Sequence, residues 1–373
     1  MAKCDGNSAG EGEVSVQLPK PYVPLLRWRQ GEYEALFRLG CPQKDAILPL
    51  IEILKPDYDF EQRKPKRNLD EHLKLFGKRL GIKWNGLPAL IDTSRLDPAD
   101  RMADGRHPLA FIFDEARAAG APLIPVTGFG RDAAYLVAVG AIAATDGRGA
   151  ALRCSLAEAL DPDFDKHIQA LLWAVGVHWT KLDIIIDLET PAFDPMPQLV
   201  NIIIAALSGA TIFNACRSVT LLATSFPDTL ANMASSVQRF VRHEWVLFKA
   251  IVTALPPGMR RPIFGDYGIA AITFAEGDMR FMRGSPNVRY TIDDAWIIAR
   301  AKGTQRGSNQ AYPALCGLVT GSGVYLGSHF SAGSAYIANC QTGVVTRGNP
   351  TTWKWVATNH HITKVLDDLS RLP

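Results

Sequence analysis

The segment LDIIIDLETP (Leu182–Pro191) carries the most apolar β-prone run of the sequence, and it ends in two acids, Asp187 and Glu189. Its apolar residues follow one another without alternation, which is typical of a strand buried on both faces of a parallel sheet. An ionised carboxylate buried without a partner is very unfavourable. We therefore expect the two acids at the carboxyl end of the strand, where parallel sheets place their ligand-binding groups.

The same kind of run occurs eight times along the chain, each time followed by a segment of helical character. In order, the eight runs are YVPLLRW, AILPLIEI, LPALIDTS, APLIPVTGF, GAALRCSL, LDIIIDLE, SVTLLATS and RPIFGDYG. Eight strand–helix repeats over about 250 residues predict an α/β fold, a (β/α)8 TIM-like barrel. The alternative, an open doubly wound sheet, is less favoured because no GxGxxG turn follows an early strand.

The rest of the chain predicts extensions of this one barrel. Residues 1–20 lack the apolar core of a signal peptide and are expected to be a disordered tail. Residues 21–373 are expected to form a single domain, in which 287–373 are a C-terminal elaboration. In it, NVRYTIDDAWIIARA predicts a β-hairpin that turns at Asp293 and Asp294. Asn349 followed by Pro350 predicts the start of a closing helix that packs on the barrel.

Composition narrows the classes of function. The chain has 373 residues, 47% of them hydrophobic, and a formal charge of +3, which gives no reason to expect general nucleic-acid or membrane binding. Its six cysteines are scattered without a CxxC motif, which is typical of reduced thiols in a cytoplasm. No apolar run is long enough to cross a membrane. A cytoplasmic protein without a membrane partner is expected, and its oligomeric state stays open.

Many polar residues fall at the predicted carboxyl ends of the strands, where barrel proteins bind their ligands. They are Arg27, Arg29, Glu52, Asp92, Thr93, Thr127, Arg153, Ser155, Asp187, Glu189, Thr224, Ser225, Asp266 and Tyr267. Because side chains alternate along a strand, Arg27 is expected to share a face with Arg29, and Asp187 with Glu189. Buried acids require cations, so the sequence predicts one charged cluster at the barrel mouth.

Two interpretations of this cluster remain open. It is either a structural ion network or a site where arginines bind phosphate and acids hold Mg²⁺ or Mn²⁺. The second interpretation assigns catalysis to Glu52, Asp92, Asp187, Glu189 and Asp266, and metal binding to Asp187, Glu189 and Asp266. It assigns ligand binding to Arg27, Arg29, Arg153, Tyr267, Tyr290, Arg300 and His360. If the protein is an enzyme, it would then be a metal-dependent phosphodiesterase or nuclease-like hydrolase, with Glu52 or Asp92 as the base.

Several familiar barrel chemistries find no support. None of the eight histidines lies at a predicted strand end, which argues against a histidine-rich metal hydrolase site. The sixth strand carries no lysine for a Schiff base, and no GxSxG motif is present.

Two further motifs allow a functional role but are more often structural. The run RKPKR, in the loop after the second strand, is either simply solvated or binds a nucleic-acid backbone. The pair His360 and His361 in the closing helix is expected to have a surface or capping role.

Five motifs occur in an order that resembles the "protein beta" family of phages and bacterial genomes. They are YVPLLRWRQGEYEAL with PLIEI, FGDYG, VRYT, WIIARA and TTWKWVATNHHIT. The matching positions are Arg29, Gly31, Glu32, Glu52, Asp266, Tyr267, Tyr290, Trp296, His360 and His361. The resemblance implies an association with phages, prophages or bacterial defence, and it supplies no reaction or catalytic residue. The sequence departs from the family pattern after Arg300, where Ala301 and Lys302 precede Gly303.

Two functional hypotheses follow. The first is a phage-defence or phage-accessory barrel that binds a nucleotide or nucleic acid and hydrolyses phosphodiesters with a metal ion. The second is a non-catalytic barrel that recognises a phage or host protein, in which the charges at the mouth are structural.

Overall fold

Eight parallel strands form a closed barrel, as the sequence predicts. The computed structural model describes residues 19–272, 285–301 and 309–372, so the predicted tail lies outside the described residues apart from Pro19 and Lys20. The barrel strands are β1 (Tyr22–Leu26), β2 (Leu50–Glu52), β3 (Ala89–Asp92), β4 (Leu123–Thr127), β5 (Ala150–Ser155), β6 (Leu182–Glu189), β7 (Ser218–Ala223) and β8 (Ile263–Asp266). They neighbour one another in chain order, and β8 pairs with β1 to close the barrel.

Alternate residues of these strands fill two separate apolar layers. One set points into the barrel and forms its interior cluster, with members such as Leu50, Leu90 and Ile185. The other set, which includes Tyr22 and Phe264, points outward and packs under the surrounding helices. A residue's parity along its strand therefore decides whether its side chain reaches the mouth or the helix layer.

Helices follow the strands around the barrel. The longer ones are Gln30–Phe37, Phe76–Trp84, Pro108–Ala118, Ala133–Asp146, Phe164–Val175, Met196–Gly209 and His243–Ala254, and the short ones are Cys41–Asp45, Leu69–Leu73, Leu156–Ala159, Ile212–Ala215 and the 3₁₀ turn Trp179–Lys181. Residues 69–84 form two helices and not one, because Leu75 leaves the helical region with φ −103° and ψ 8°.

The C-terminal region packs on the barrel as a hairpin and helices. Asn287–Thr291 pairs antiparallel with Ala295–Arg300, which confirms the predicted hairpin. The sheet has a third strand that the sequence analysis missed: Val237–Val241, from the loop after β7, pairs with Ala295–Arg300. Helices Tyr312–Thr320 and Ala332–Gln341 cover this sheet.

The closing helix occupies Pro350–Ser370, and it begins where predicted, because Asn349 Oδ1 accepts the amide N–H of Thr352 at 3.0 Å. The expected surface role of its two histidines is wrong, since His360 and His361 are both fully buried. The helix lies between the barrel and the C-terminal sheet, so positions that would normally face solvent are covered on both sides.

Candidate functional site at the barrel mouth

The guanidinium of Arg153 is the centre of the mouth. Its Nη1 lies 3.0 Å from Glu52 Oε1 and 2.9 Å from Asp92 Oδ2, and its Nη2 lies 2.7 Å from Asp187 Oδ2. Its Nε also donates to Asp187 Oδ2 at 2.9 Å. These four residues, called here the mouth cluster, come from four different strands and confirm that the strand ends bring remote charges together.

Strand parity explains why these side chains meet. Glu52 and Asp92 are register partners at the ends of β2 and β3. Each lies two residues beyond an inward-facing leucine, Leu50 or Leu90, and therefore on the same face of its strand. Asp187 stands in the same relation to Ile185 on β6. The charged layer therefore lies directly above the apolar layers that fill the barrel.

Tyr267, the residue after β8, completes the floor of the mouth. Its hydroxyl lies 2.7 and 2.8 Å from the two carboxylate oxygens of Asp187, and it accepts from Arg153 Nη2 at 3.3 Å. Burial and the neighbouring Asp187 raise the pKa of Tyr267 far above its ordinary value. Tyr267 therefore remains protonated and acts as a hydrogen-bond donor to the carboxylate.

The arginines of the mouth keep Asp92 ionised despite its burial. Burial opposes the charged form of Asp92, but Arg153 and Arg131 outweigh it and lower the pKa of that carboxyl. Burial likewise opposes the charge on Arg153, and Asp187 and Asp92 reverse this, so that its pKa is well above the usual range. Asp92 and the central cation Arg153 are thus charged at neutral pH.

Three more arginines surround the cluster. Arg27 Nε lies 3.7 Å from Glu52 Oε2, Arg95 Nε lies 3.2 Å from Glu52 Oε1, and Arg131 Nη2 lies 3.7 Å from Asp92 Oδ1. Four arginines against three acids leave this group of residues with a net charge of +1.

At the mouth, the arginines of the rim are more exposed to solvent than the acids of the mouth cluster. Glu52 and Asp92 are fully buried, and Arg153 is 12% exposed. Arg131 is 24% exposed and Arg95 is 46% exposed. A ligand that enters the mouth therefore meets Arg95 and Arg131 before it meets any carboxylate of the cluster. Sequence reasoning missed both arginines because it stopped at the strand ends, and each lies only a few residues into a loop, in TSRLD and GFGRD.

Arg131 also borders a cleft of about 90 Å³ between the loops after β3 and β4. Its Nε is buried and has no hydrogen-bond partner among the residues that the structure describes. Helices Pro108–Ala118 and Ala133–Asp146 both begin at this cleft, with His107 and Asp132 as their N-cap residues. Two helix N-termini and a guanidinium face the same small space.

Asp266 lies on the other side of the barrel wall, which corrects the prediction that it shares a site with Asp187. Its carboxylate accepts hydrogen bonds from the Tyr22 hydroxyl at 2.6 Å and the Gly268 amide at 2.8 Å, and it contacts His361 Nε2 at 2.9 Å. Because Tyr267 faces the interior, the preceding residue faces outward, toward the closing helix. Asp266 is a buried structural acid there.

Glu189 is exposed and does not share the face of Asp187. It adopts φ +54°, and the pairing register of β6 and β7 shifts between Asp187 and Glu189. This left-handed residue breaks the alternation on which the prediction depended. The three predicted metal ligands are therefore not brought together. Within 19–272, 285–301 and 309–372, no group of three or more His, Cys, Asp or Glu side chains is arranged to hold a metal ion.

Arg29 departs from the prediction for the same reason. Trp28 adopts φ +50°, so Arg29 does not follow Arg27 into the mouth. It is instead 42% exposed and pairs with Asp57 at 3.0 Å.

The remaining predicted ligand-binding residues lie in the C-terminal layer and not at the mouth. Tyr290 stacks on His360 with ring centroids 3.8 Å apart, and His360 Nε2 lies 2.8 Å from the carbonyl oxygen of Thr291. Arg300 donates to the carbonyl of Leu230 and contacts Ser285. These residues hold the C-terminal sheet together.

Comparisons with known proteins leave the activity open. No helix in the part of the chain that the structure describes is long and apolar enough to cross a membrane. A crystal structure of triosephosphate isomerase from Bartonella henselae matches 66% of this chain and 92% of its own, at 10% identity and a TM-score of 0.34. A comparison with curated proteins finds none that matches. The sequence pattern of the family described as "Beta protein" matches residues 22–367, so the chain belongs to the Beta protein family.

Proposed function

We propose that the barrel mouth binds a ligand that carries a phosphate group, through Arg95 and Arg131. The observation that supports this most directly is the state of Arg131. Its Nε is buried without a hydrogen-bond partner among the described residues, and its Nη2 is 3.7 Å from the nearest Asp92 oxygen. A guanidinium offers a planar fork of donors that matches phosphate, and this one has donors to spare.

The surroundings of Arg131 favour an anion. Helices Pro108–Ala118 and Ala133–Asp146 begin beside it, and each helix N-terminus carries roughly half a positive charge. Arg153 and the residues around it, Arg131 included, carry a net charge of +1, from four arginines and three acids. Asp97 and Asp132 also line the cleft and restrict the ligand to a small anionic group that avoids them.

The proposal assigns binding to the mouth and no hydrolytic step. Glu52, Asp92 and Asp187 each contact Arg153 at 2.7 to 3.0 Å, and the proposal gives none of them a role as a base. The predicted role of Mg²⁺ or Mn²⁺ enters the proposal only as an ion that accompanies a phosphate ligand. The biological setting that we propose is phage defence or phage biology, which comes from the family resemblance, in the cytoplasm, which comes from the scattered cysteines.

A thermal-shift titration tests this proposal. Inorganic phosphate, pyrophosphate and ATP, each with and without Mg²⁺, are added to the wild type and to Arg131→Gln and Arg95→Gln. A ligand at one hundred times its Kd should stabilise the protein by about 2.7 kcal/mol. The control, Arg371→Gln, changes an exposed arginine at the end of the closing helix and should keep the full shift. The proposal would be refuted if none of these anions shifts the melting temperature of the wild type, or if the Arg131 and Arg95 variants show the same shift as the wild type.

A second candidate function is a non-catalytic interaction protein whose mouth charges are purely structural. One observation favours it: no carboxylate of the mouth cluster is more than 8% exposed, and each already pairs with Arg153. On this hypothesis the same titration gives no shift, while substitution of Arg153 still destabilises the fold.

A further inference from the structure

The loop after β2 forms a small hairpin that stands at the mouth face of the barrel. Tyr58–Asp59 pairs antiparallel with Lys64–Pro65, and the Lys66 amide donates to the Asp57 carbonyl at 2.7 Å. Asp59 Oδ1 closes the turn by accepting the amides of residues 61 and 62 at 2.9 and 3.1 Å. Residues 58–67 are called here the basic hairpin.

Two aromatic rings lie side by side on this hairpin. Tyr58 is 46% exposed and Phe60 is 42% exposed, and their ring centroids are 5.1 Å apart. Phe60 lies in the turn directly after the strand Tyr58–Asp59, and its ring meets that of Tyr58 edge to face, with 75° between the ring planes. Neither ring belongs to an apolar core cluster of the described residues. Folding of the barrel therefore does not account for the two rings.

Four cations follow the rings along the same hairpin. Arg63, Lys64, Lys66 and Arg67 are all exposed. In the described ranges, no acid lies within 4.0 Å of any of these four side chains, and the nearby Asp57 pairs with Arg29 instead. These cations have no ion-pair partner among the described residues and lie beside the exposed rings. The cations can contact phosphates, and the rings can contact flat, unpaired bases.

The base of the hairpin is fixed to the barrel on both sides. Arg29, after β1, pairs with Asp57 at 3.0 Å, and Asp70, after the hairpin, accepts the Ala103 amide at 3.1 and 3.2 Å. These contacts tie the two ends of the hairpin to the loops after β1 and β3. A surface that is already arranged loses less conformational entropy when a partner binds.

We propose that the basic hairpin binds single-stranded nucleic acid, with Tyr58 and Phe60 stacking on bases and the four cations contacting phosphates. Stacking requires a base that is not already paired, so single strands are favoured over duplex. This surface uses none of the residues assigned to the mouth. With a net charge of only +3 for the whole chain, binding is expected to depend on this one local surface.

Fluorescence anisotropy with a labelled thymidine oligonucleotide tests the proposal in the full chain. Tyr58→Ala with Phe60→Ala should weaken binding by about 10-fold or more, since each stacked base contributes at least a severalfold gain in affinity. Lys64→Gln with Lys66→Gln and Arg67→Gln should reduce the slope of log affinity against log salt by about 2, because each single-strand phosphate contact contributes about 0.7.

Matched controls distinguish binding at the basic hairpin from nonspecific binding and from binding at the mouth. Trp173→Ala removes a ring that is 90% exposed elsewhere, and Lys166→Gln removes a lysine that is 76% exposed, and both should leave oligonucleotide binding unchanged. Arg131→Gln should also leave it unchanged, so that failure of the mouth proposal and failure of this one can be told apart. The proposal is overturned if the wild type does not bind the oligonucleotide at low salt, if duplex binds as tightly, or if the hairpin variants bind like the wild type.

Discussion

Replacement of Arg153 by methionine is the sharpest test of the mouth cluster. Arg153 is the shared partner of Glu52, Asp92 and Asp187, with atom separations of 2.7 to 3.0 Å. Removing one partner from a buried ion pair costs about 3–5 kcal/mol, because the other charge stays buried and unpaired. Arg95 and Arg131 keep contact with the cluster, so we expect a loss of unfolding free energy within this range.

The loss should depend on pH in a defined direction. In the wild type, Arg153 and Arg131 outweigh burial and lower the pKa of Asp92, so its contribution to stability is full above its ordinary pKa and is lost as pH falls through the folded value. In Arg153→Met, burial and mutual repulsion should raise the carboxyl pKa values, so these acids protonate in the folded state at mild acidity. Between pH 7.5 and pH 5 only the acids of the variant titrate, because the wild-type pKa of Asp92 lies below its ordinary value of 3.8, so the difference between variant and wild type should shrink over this range.

Urea unfolding followed by circular dichroism at pH 7.5 and pH 5 measures this difference. Arg217→Met is the matched control, because Arg217 is 17% exposed and pairs with a single acid, Asp183, at the opposite end of the barrel. Its loss should be smaller and less dependent on pH than that of Arg153→Met. A loss for Arg153→Met below about 1 kcal/mol, the range of an exposed pair, would show that the cluster is not the ionised network described above.

Two further predictions concern the closing helix. Burial lowers the pKa of His360 to about 3, so the unfolded chain takes up a proton first, and the unfolding free energy should fall by about 2 kcal/mol between pH 7.5 and pH 5. In urea unfolding, His360→Phe should show a smaller fall, and the control His167→Phe, at a 54% exposed histidine, should show the wild-type fall. An unchanged fall in His360→Phe would contradict the assignment. A Cβ on Gly31, in the helix Gln30–Phe37, would lie 2.6 Å from Lys354 Cβ in the closing helix, so Gly31→Ala should reduce the unfolding free energy by about 1–3 kcal/mol. The control Gly209→Ala, where nothing lies within 4 Å of the added Cβ, should not destabilise the protein. Equal melting temperatures for the two variants would show that these two helices separate freely.

The sequence predicted the barrel and the centre of its mouth for the same physical reason. Eight apolar runs determined the number of strands, and the period-two alternation placed Glu52, Asp92, Arg153 and Asp187 above the interior layer. These positions depend only on strand identity and parity. Both can be read locally.

The errors begin where the backbone leaves the extended region. Trp28 and Glu189 have φ values of +50° and +54°, and neither residue type signals a left-handed conformation. Arg29 and Glu189 therefore lie outside the mouth. The prediction for Asp266 assumed the wrong face of β8. Tyr267, the residue after the strand, faces the barrel interior, so Asp266 faces outward.

The burial of His360 and His361 could not be predicted from their own segment. The amphipathic pattern of the closing helix is weakened because barrel and C-terminal sheet cover it on two sides. The strand Val237–Val241, which completes that sheet, is only partly buried and sits in a loop of the barrel. Its role depends on pairing with residues almost sixty positions later, and such long-range partners leave no local signal.

That pairing has a consequence for how the protein is made. When Val237–Val241 leaves the ribosome, Ala295–Arg300 has not been translated, and at about 5–20 residues per second the delay is on the order of several seconds. During this time the strand presents an open edge that another nascent chain could join. The exposed Arg239 at its centre opposes such pairing by charge. Stalled nascent chains that end before residue 295 should therefore be cut readily by protease within 237–241, and chains released at full length should not.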